Sequence, residues 1–451
     1  MKTKLIGIII CMLLIGTVLP VSGTVIIDKT PLSTSNGKTL YVGGDGLGNY
    51  STIQEAIENA TDGNLFYRDT VFVLDDSSPY HENVVIDKTI ILRGESKETT
   101  VIDGTGSNDP IVWVTSAFCL VWNLKITGGN SNKIGVKISS SKCYVSNNTI
   151  TNVDQGINVP KGSNDNYFSR NIISNVEEGI TAYYSDHNYI GSNDISNCEL
   201  YGVFISGTNN DYYKVNNYIS YNEIFNNNIG VHIENANDTQ AWGNNIYGNS
   251  GGLEFCCGSN SNNVYCNNFW NNDDWNARDE GISTWDVFDK KGNYWDDYDG
   301  IDADGDGIGD TPYSIPGGDN VDRYPQMEIW ENFPPSKPII TGPTTGSGLV
   351  KIDFTLKSID PNGDDLYYTV KWGDENIDLF GKHPSGVEIT VNHTYYSVGE
   401  KTIEVYATDE FYWSGSLSKF TITITKSRTA HNNLLIKLLD MFPMLRHLLR
   451  L

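Results

Sequence analysis

Gly135-Val136-Lys137-Ile138, Gly156-Ile157-Asn158-Val159, Gly179-Ile180-Thr181-Ala182, Gly202-Val203-Phe204-Ile205, Gly230-Val231-His232-Ile233 and Gly252-Leu253-Glu254-Phe255 repeat one pattern, a glycine followed by two apolar residues around a variable position. The spacings are 21, 23, 23, 28 and 22 residues. A second anchor, Asn-x-Ile or Asn-x-Phe, keeps the same beat at Asn148, Asn171, Asn193, Asn222, Asn244 and Asn267. Repeats of this length indicate a stacked solenoid. A coil of about 22 residues with three short strands buries little alone, but stacked coils share one continuous core. The recurring Asn is expected at the turns, where it tolerates left-handed backbone angles and can bond its equivalents in neighbouring coils. No long helical pattern interrupts the beat, which excludes α/β architectures with crossover helices. The fold class that follows is all-β, a right-handed parallel β-helix.

Outward from the repeats, Thr52 and Glu55 read as the capping box of a short helix that closes the open apolar end of the first coil, with strands expected at 70–74, 83–86 and 89–92. Lys2 and Lys4 before the apolar run from Leu5 to Leu19 read as a secretory signal over residues 1–23, so the chain is expected to be secreted or at the cell surface. The net charge of −25 repels phosphate backbones, and nucleic acid is not expected as a partner. Cys11 leaves with the signal; the other six cysteines enter an oxidising compartment with no CxxC spacing, where bridges and buried thiols both stay open. The β-helix with its cap is expected over residues 24–298, an acidic cap over 299–330, a Pro-rich linker over 331–338, a sandwich over 339–427 and an amphipathic leucine-rich tail over 428–451. That tail, split at Pro443, suits self-association or contact with a membrane surface.

The stretch Gly292-Asn293-Tyr294-Trp295-Asp296-Asp297-Tyr298, with Asp302 to Tyr313 and Val321-Asp322-Arg323-Tyr324-Pro325, resembles the end of NosD-like β-helix proteins of the pectin-lyase-like superfamily. With the capping motif, the resemblance covers about residues 40 to 327. Trp372-Gly373-Asp374, His393-Thr394-Tyr395 and Ala407-Thr408-Asp409 resemble the marks of PKD-type immunoglobulin-like domains, in which the Trp is expected to fill the core and His393 to be a strand-edge residue.

The NosD resemblance implies copper. The residues argue against it: the mature helix body offers only the imidazoles of His81, His187 and His232, it has no Met until Met327, and Cys256, Cys257 and Cys266 are the remaining soft donors. Calcium is the expected cofactor, because Asp302, Asp304, Asp306 and Asp310 hold the first, third, fifth and ninth places of a D-x-D-x-D-G loop and the Ile308 carbonyl the seventh. Tyr313 stands where a bidentate Glu would complete such a loop, so Asp297, Asp299 or Asp322 would have to substitute. Glu177 with Glu178, Asp186 with His187 and Asp273 with Asp274 are candidate catalytic pairs, but neighbours on a strand point to opposite faces. Tyr144, Tyr167, Tyr189 and Tyr218 each precede an anchor Asn by four residues and form an outer ladder suited to sugar rings, with Tyr212 and Tyr213 on a nearby insertion. The expected function is a non-catalytic surface protein that binds a polysaccharide or cell-surface glycan or forms part of a surface layer. A polysaccharide lyase, hydrolase or epimerase is the alternative, and a copper-binding maturation factor the weaker one.

Overall fold

The computed structural model describes residues 37–106, 108–128, 133–207, 216–287, 290–409 and 416–426. The signal segment, Tyr212, Tyr213 and the leucine-rich tail lie outside the described residues. The chain divides after Trp330 into two compact units.

Unit 1 is the expected parallel β-helix. A ten-stranded sheet runs along it, and a fifteen-stranded sheet comprises its other two faces. We call the three faces the first, second and third sheets in the order in which the chain visits them. In one coil, Tyr144–Ser146 lies in the first sheet, and Thr149–Val159 supplies both the second and the third. That strand, with Ile172–Tyr183 and Asp194–Ser206, turns the corner unbroken at Asn152, Asn175 and Asn197, whose φ values are 56°, 55° and 55°. The apolar residues of the repeat point inward as expected: Val136, Ile157, Ile180, Val203, Val231 and Leu253 are all fully buried in one continuous core.

The anchor asparagines do a different job from the one expected. Left-handed backbone falls on the residue before each, at Asn147, Arg170, Ser192, Tyr221, Gly243 and Cys266. The anchor points inward, where its amide forms a ladder: Asn148, Asn171, Asn193, Asn222 and Asn244 each donate from Nδ2 to Oδ1 of the next, ending on Asn267. Backbone carbonyls along the column take the other amide hydrogen. The other two corners carry shorter ladders, Asn166 to Asn188 and Asn227 to Asn249 to Asn272. Each amide therefore meets polar groups that burial would otherwise leave without partners.

The main ladder needs an acceptor at its end. Asn267 donates to Asn293, and Asn293 donates from both its backbone N and its Nδ2 to Asp322, which also accepts from Trp295 Nε1 and the Tyr324 backbone. Asp322 is thus the terminal acceptor of the ladder, and its bonds tie it there rather than to the acidic loop. Burial pushes its carboxyl up from 3.8 to about 6, against the donors that favour the ionised form. The folded chain therefore holds this proton more tightly than the unfolded chain, so its stabilising effect is full below about pH 4 and is lost as pH rises through about 6. The expected result is that the Tm advantage of wild type over Asp322→Asn grows between pH 7.5 and pH 5; thermal unfolding of both at the two pH values checks it.

At the other end, the helix Ile53–Asn59 covers the first coil with Ile53, Ala56 and Ile57. Thr52 Oγ1 accepts from the Glu55 backbone as expected, and Glu82 adds acceptors for the Ile53 and Gln54 N–H groups. Lys88 Nζ donates to the Ile57, Glu58 and Ala60 carbonyls at the helix end. Both ends of a short helix are thereby satisfied from the coil beneath it.

Unit 2 is a β-sandwich of a three-stranded and a five-stranded sheet. Trp372 is fully buried and donates to Asp378, as a core residue. His393 is more enclosed than expected, stacked on the Trp372 ring at 4.7 Å with Nε2 2.9 Å from Asp374. The Asp374 carboxyl lies below its ordinary value because hydrogen bonds, chiefly to His393, outweigh its burial.

Candidate functional site

The variable position of the repeat proves to be a column on the outer side of the third sheet. Lys137, Asn158, Thr181, Phe204, His232, Glu254 and Arg278 lie in register on successive coils. Two residues further along the strands, Tyr183, Ser206, Glu234 and Cys256 form a parallel column. Alternation along each strand sends these side chains away from the core.

Where the columns meet, chemistry converges. His232 Nδ1 lies 2.9 Å from Glu254 Oε2, while Nε2 lies 3.7 Å from Cys256 Sγ and 3.9 Å from Glu234 Oε2. The three donors of His232, Glu234 and Cys256 all lie within 4.8 Å of one another. Because an ionised Glu254 can only accept, it places the ring proton on Nδ1 and leaves the Nε2 lone pair facing the thiol and the second carboxylate. The bond to His232 holds the Glu254 carboxyl below its ordinary value, assisted by Arg278, whose Nη1 is 3.8 Å away. Burial pushes the Cys256 thiol up. Tyr201 and Phe204 stack on the imidazole at 4.7 and 5.6 Å and shield it from water. The His232 side chain is only 10% exposed and that of Glu234 is 32%, so the cluster opens on the Glu234 side.

A thiolate, an imidazole and a carboxylate are the donors of first-row transition ions. Around a tetrahedral ion with metal–nitrogen and metal–sulfur bonds of about 2.0 and 2.3 Å, the N and S donors stand about 3.5 Å apart. The 3.7 Å found here fits that separation with little movement.

The remaining soft donors, Cys256, Cys257 and Cys266, do not come together. Cys256 ends a third-sheet strand, Cys257 is an exposed turn residue, and Cys266 follows a first-sheet strand. The side chains that do gather with Cys256 were missed because their positions in the repeat look merely variable. His232 above Glu254, on successive beats, was the available signal.

The tyrosine ladder lies where expected: Tyr144, Tyr167, Tyr189 and Tyr218 pair in register on the first sheet. Tyr144 and Tyr167 stack at 4.9 Å and 9°, so their faces cover each other and their edges point outward. Tyr189 meets Tyr167 at 6.0 Å with a tilt of 40°; it accepts from Ser220 and lies where a Cβ on Gly191 would meet its ring at 2.3 Å. Glycine at 191 lets this ring lie down on the strand.

In the acidic loop, Asp302, Asp304 and Asp306 gather as expected, and the exposed Asp310 accepts from the Ala303 backbone instead. Asp302 accepts from Gly305, Asp306 and Gly307 backbone groups, which lower its carboxyl, and Asp306 pairs with Lys290. The Ile308 N–H is held by Asp306, and residue 308 bridges residue 326. Of the suggested substitutes, Asp297 accepts from Tyr313 and Asn276, Asp322 ends the ladder, and Asp299 is exposed. Among the catalytic candidates, Asp186 and His187 converge on a turn at 2.6 Å, whereas Asp273 and Asp274 are both exposed.

A protein-family model described as "Periplasmic copper-binding protein (NosD)" matches residues 58–300. No curated protein matches the chain. Among solved structures, the PKD domain of an M14-like peptidase from a Thermoplasmatales archaeon is 32% identical over 21% of this chain and all of its own, with a TM-score of 0.21. A double mutant of the periplasmic alginate epimerase AlgG is 15% identical over 52% of this chain and 63% of its own, with a TM-score of 0.24.

Proposed function

The chain belongs to the NosD family, and from that premise we propose that it is a metal-binding protein that works outside the cytoplasm, holding a copper-class ion at His232, Cys256 and Glu234. The observation that carries this reading is the convergence of Nε2, Sγ and a carboxylate oxygen while Glu254 occupies the opposite ring nitrogen. Such an arrangement supplies three protein donors with different chemistry and leaves further coordination to an incoming ligand, which suits capture and release better than a closed structural site. The ion itself would supply Lewis acidity or redox capacity. The chain's own residues orient the imidazole, exclude water with Tyr201 and Phe204, and offer the exposed side of Glu234 to the exterior.

Titration of the reduced, full-length protein with Cu(I) against a competing chelator tests the proposal, with Co(II) as a spectroscopic stand-in. One equivalent per chain, with a thiolate-to-cobalt charge-transfer band, is expected. Absence of stoichiometric binding would remove the reading.

A saccharide on the first sheet is a second reading, favoured by the way Tyr189 lies over Gly191 beside in-register phenols. Glycan binding should then fall about fivefold on Tyr189→Ala, in line with the loss of one ring contact of about 1 kcal/mol, and stay unchanged on Cys256→Ser. An array with no saccharide retained would discard it.

A further inference from the structure

We infer that Cys119 and Cys143 are a disulfide-forming pair that staples two neighbouring coils near the capped end of the helix. Six corners between the third and first sheets are built from a left-handed residue followed by an inward-pointing one. The pairs are Phe118 with Cys119, Lys142 with Cys143, Asp165 with Asn166, His187 with Asn188, Asp238 with Thr239 and Ser261 with Asn262. Where the later coils carry side chains that hydrogen-bond along the column, the coils of Leu120–Trp122 and Tyr144–Ser146 carry cysteines, one directly above the other. The following residues, Leu120 and Tyr144, are in-register partners, and the Tyr144 N–H donates to the Cys119 carbonyl at 2.9 Å.

Adjacent strands place such Cα atoms about 4.8 Å apart, inside the range of about 4.4–6.8 Å that a disulfide spans. The side chains aim at the same point: Cys119 Sγ is 3.2 Å and Cys143 Sγ 3.3 Å from the Ser116 carbonyl oxygen. Both residues are sealed in the core, at 0% and 1% exposure. Cys198 stands in register with Val176, and Cys256 with Glu234, so no other pair of described cysteines meets on adjacent rungs in this way.

The hydrogen bond from Cys119, with the Arg68 guanidinium nearby, holds the Cys143 thiol below its ordinary value. Before the coils close, either cysteine can be the attacking thiolate, Cys143 for example. Its sulfur opens the disulfide of an oxidised thiol-disulfide oxidoreductase or of oxidised glutathione, forming a mixed disulfide. The Cys119 thiolate then displaces that carrier. Two S–H bonds are lost, one S–S bond forms, and two electrons and two protons leave with the carrier as its dithiol or paired thiols. Because the mature core excludes such a carrier, the exchange belongs to folding in an oxidising compartment, before the coil of Cys143 closes over the coil of Cys119.

The test uses the full chain exported to an oxidising compartment, unfolded in an alkylating agent without reductant, and digested for mass spectrometry. A Cys119–Cys143 cross-linked peptide is expected, two hydrogens lighter than its reduced parts. Cys119→Ser should free Cys143 for alkylation, Cys143→Ser should free Cys119, and the double variant should melt at the same temperature as either single one. Alkylation of both cysteines in the wild-type chain, or linkage of either to a different cysteine, overturns the inference. The wild-type peptide map decides the matter even if the variants fail to fold.

Discussion

Asn222→Leu is expected to lower stability by about 4 kcal/mol, because it leaves buried backbone groups without partners on the coil before it. Asn222 Oδ1 accepts from the Asn193 backbone at 2.9 Å and from Asn193 Nδ2 at 3.0 Å, while its own Nδ2 donates to the Ile190 carbonyl and to Asn244. Leucine fills the volume but offers neither acceptor nor donor. The Asn193 N–H and the Ile190 carbonyl then lose these bonds inside the core, at roughly 1–3 kcal/mol each, and the chain of amides above and below is cut. A fall in Tm on the order of 8 °C follows for a domain of this size. Thermal and urea unfolding check it; a shift within about 1 °C would mean that the ladder decorates the coils without holding them.

Cys256→Ser is expected to weaken Cu(I) binding more than 100-fold, or by about 3 kcal/mol, and to abolish the thiolate-to-cobalt band. The thiolate is the soft donor of the site, and a hydroxyl in its place keeps the shape while removing that bond. Glu254→Gln should weaken binding by 10–100-fold with the band retained, since the amide can still accept from Nδ1 but contributes no charge to the ring's basicity. Cys257→Ser, one residue away on an exposed turn, should leave both affinity and spectrum unchanged. Equal losses at Cys256 and Cys257 would point to a surface dithiol rather than to the third-sheet cluster.

How much was legible in the sequence differs from fold to site for a physical reason. The β-helix was legible because each coil repeats the same inward demand, so Gly156, Ile157 and Val159 recur as Gly179, Ile180 and Ala182. The helix over the first coil was legible from Thr52 and Glu55, although its strongest caps, Glu82 and Lys88, come from residues about 30 positions away. Asn148 and its equivalents were correctly found, but their backbone was misassigned: composition shows that an Asn recurs, while only geometry shows that the left-handed residue is the one before it.

The third-sheet cluster of His232, Glu234, Glu254 and Cys256 was illegible for the opposite reason. A single coil holds only part of it: His232 and Glu234 belong to one beat, Glu254 and Cys256 to the next. Outward positions carry no repeated demand, so His232 follows Phe204 and Thr181 in its column with no shared chemistry to announce it. Stacking the beats in register was sufficient to bring these residues together, because the parallel strands pair His232 with Glu254 and Glu234 with Cys256. Asp322 shows the same limit: in sequence it belongs to an acidic stretch, yet in space it ends the amide ladder.

X-ray absorption at the copper edge of the protein loaded with one equivalent of Cu(I) measures the first coordination shell directly. One sulfur, one imidazole nitrogen and one carboxylate oxygen are predicted, with the sulfur contribution gone in Cys256→Ser and kept in Cys257→Ser. A shell of oxygen alone, or sulfur that persists without Cys256, would contradict the assignment of the ion to the third sheet.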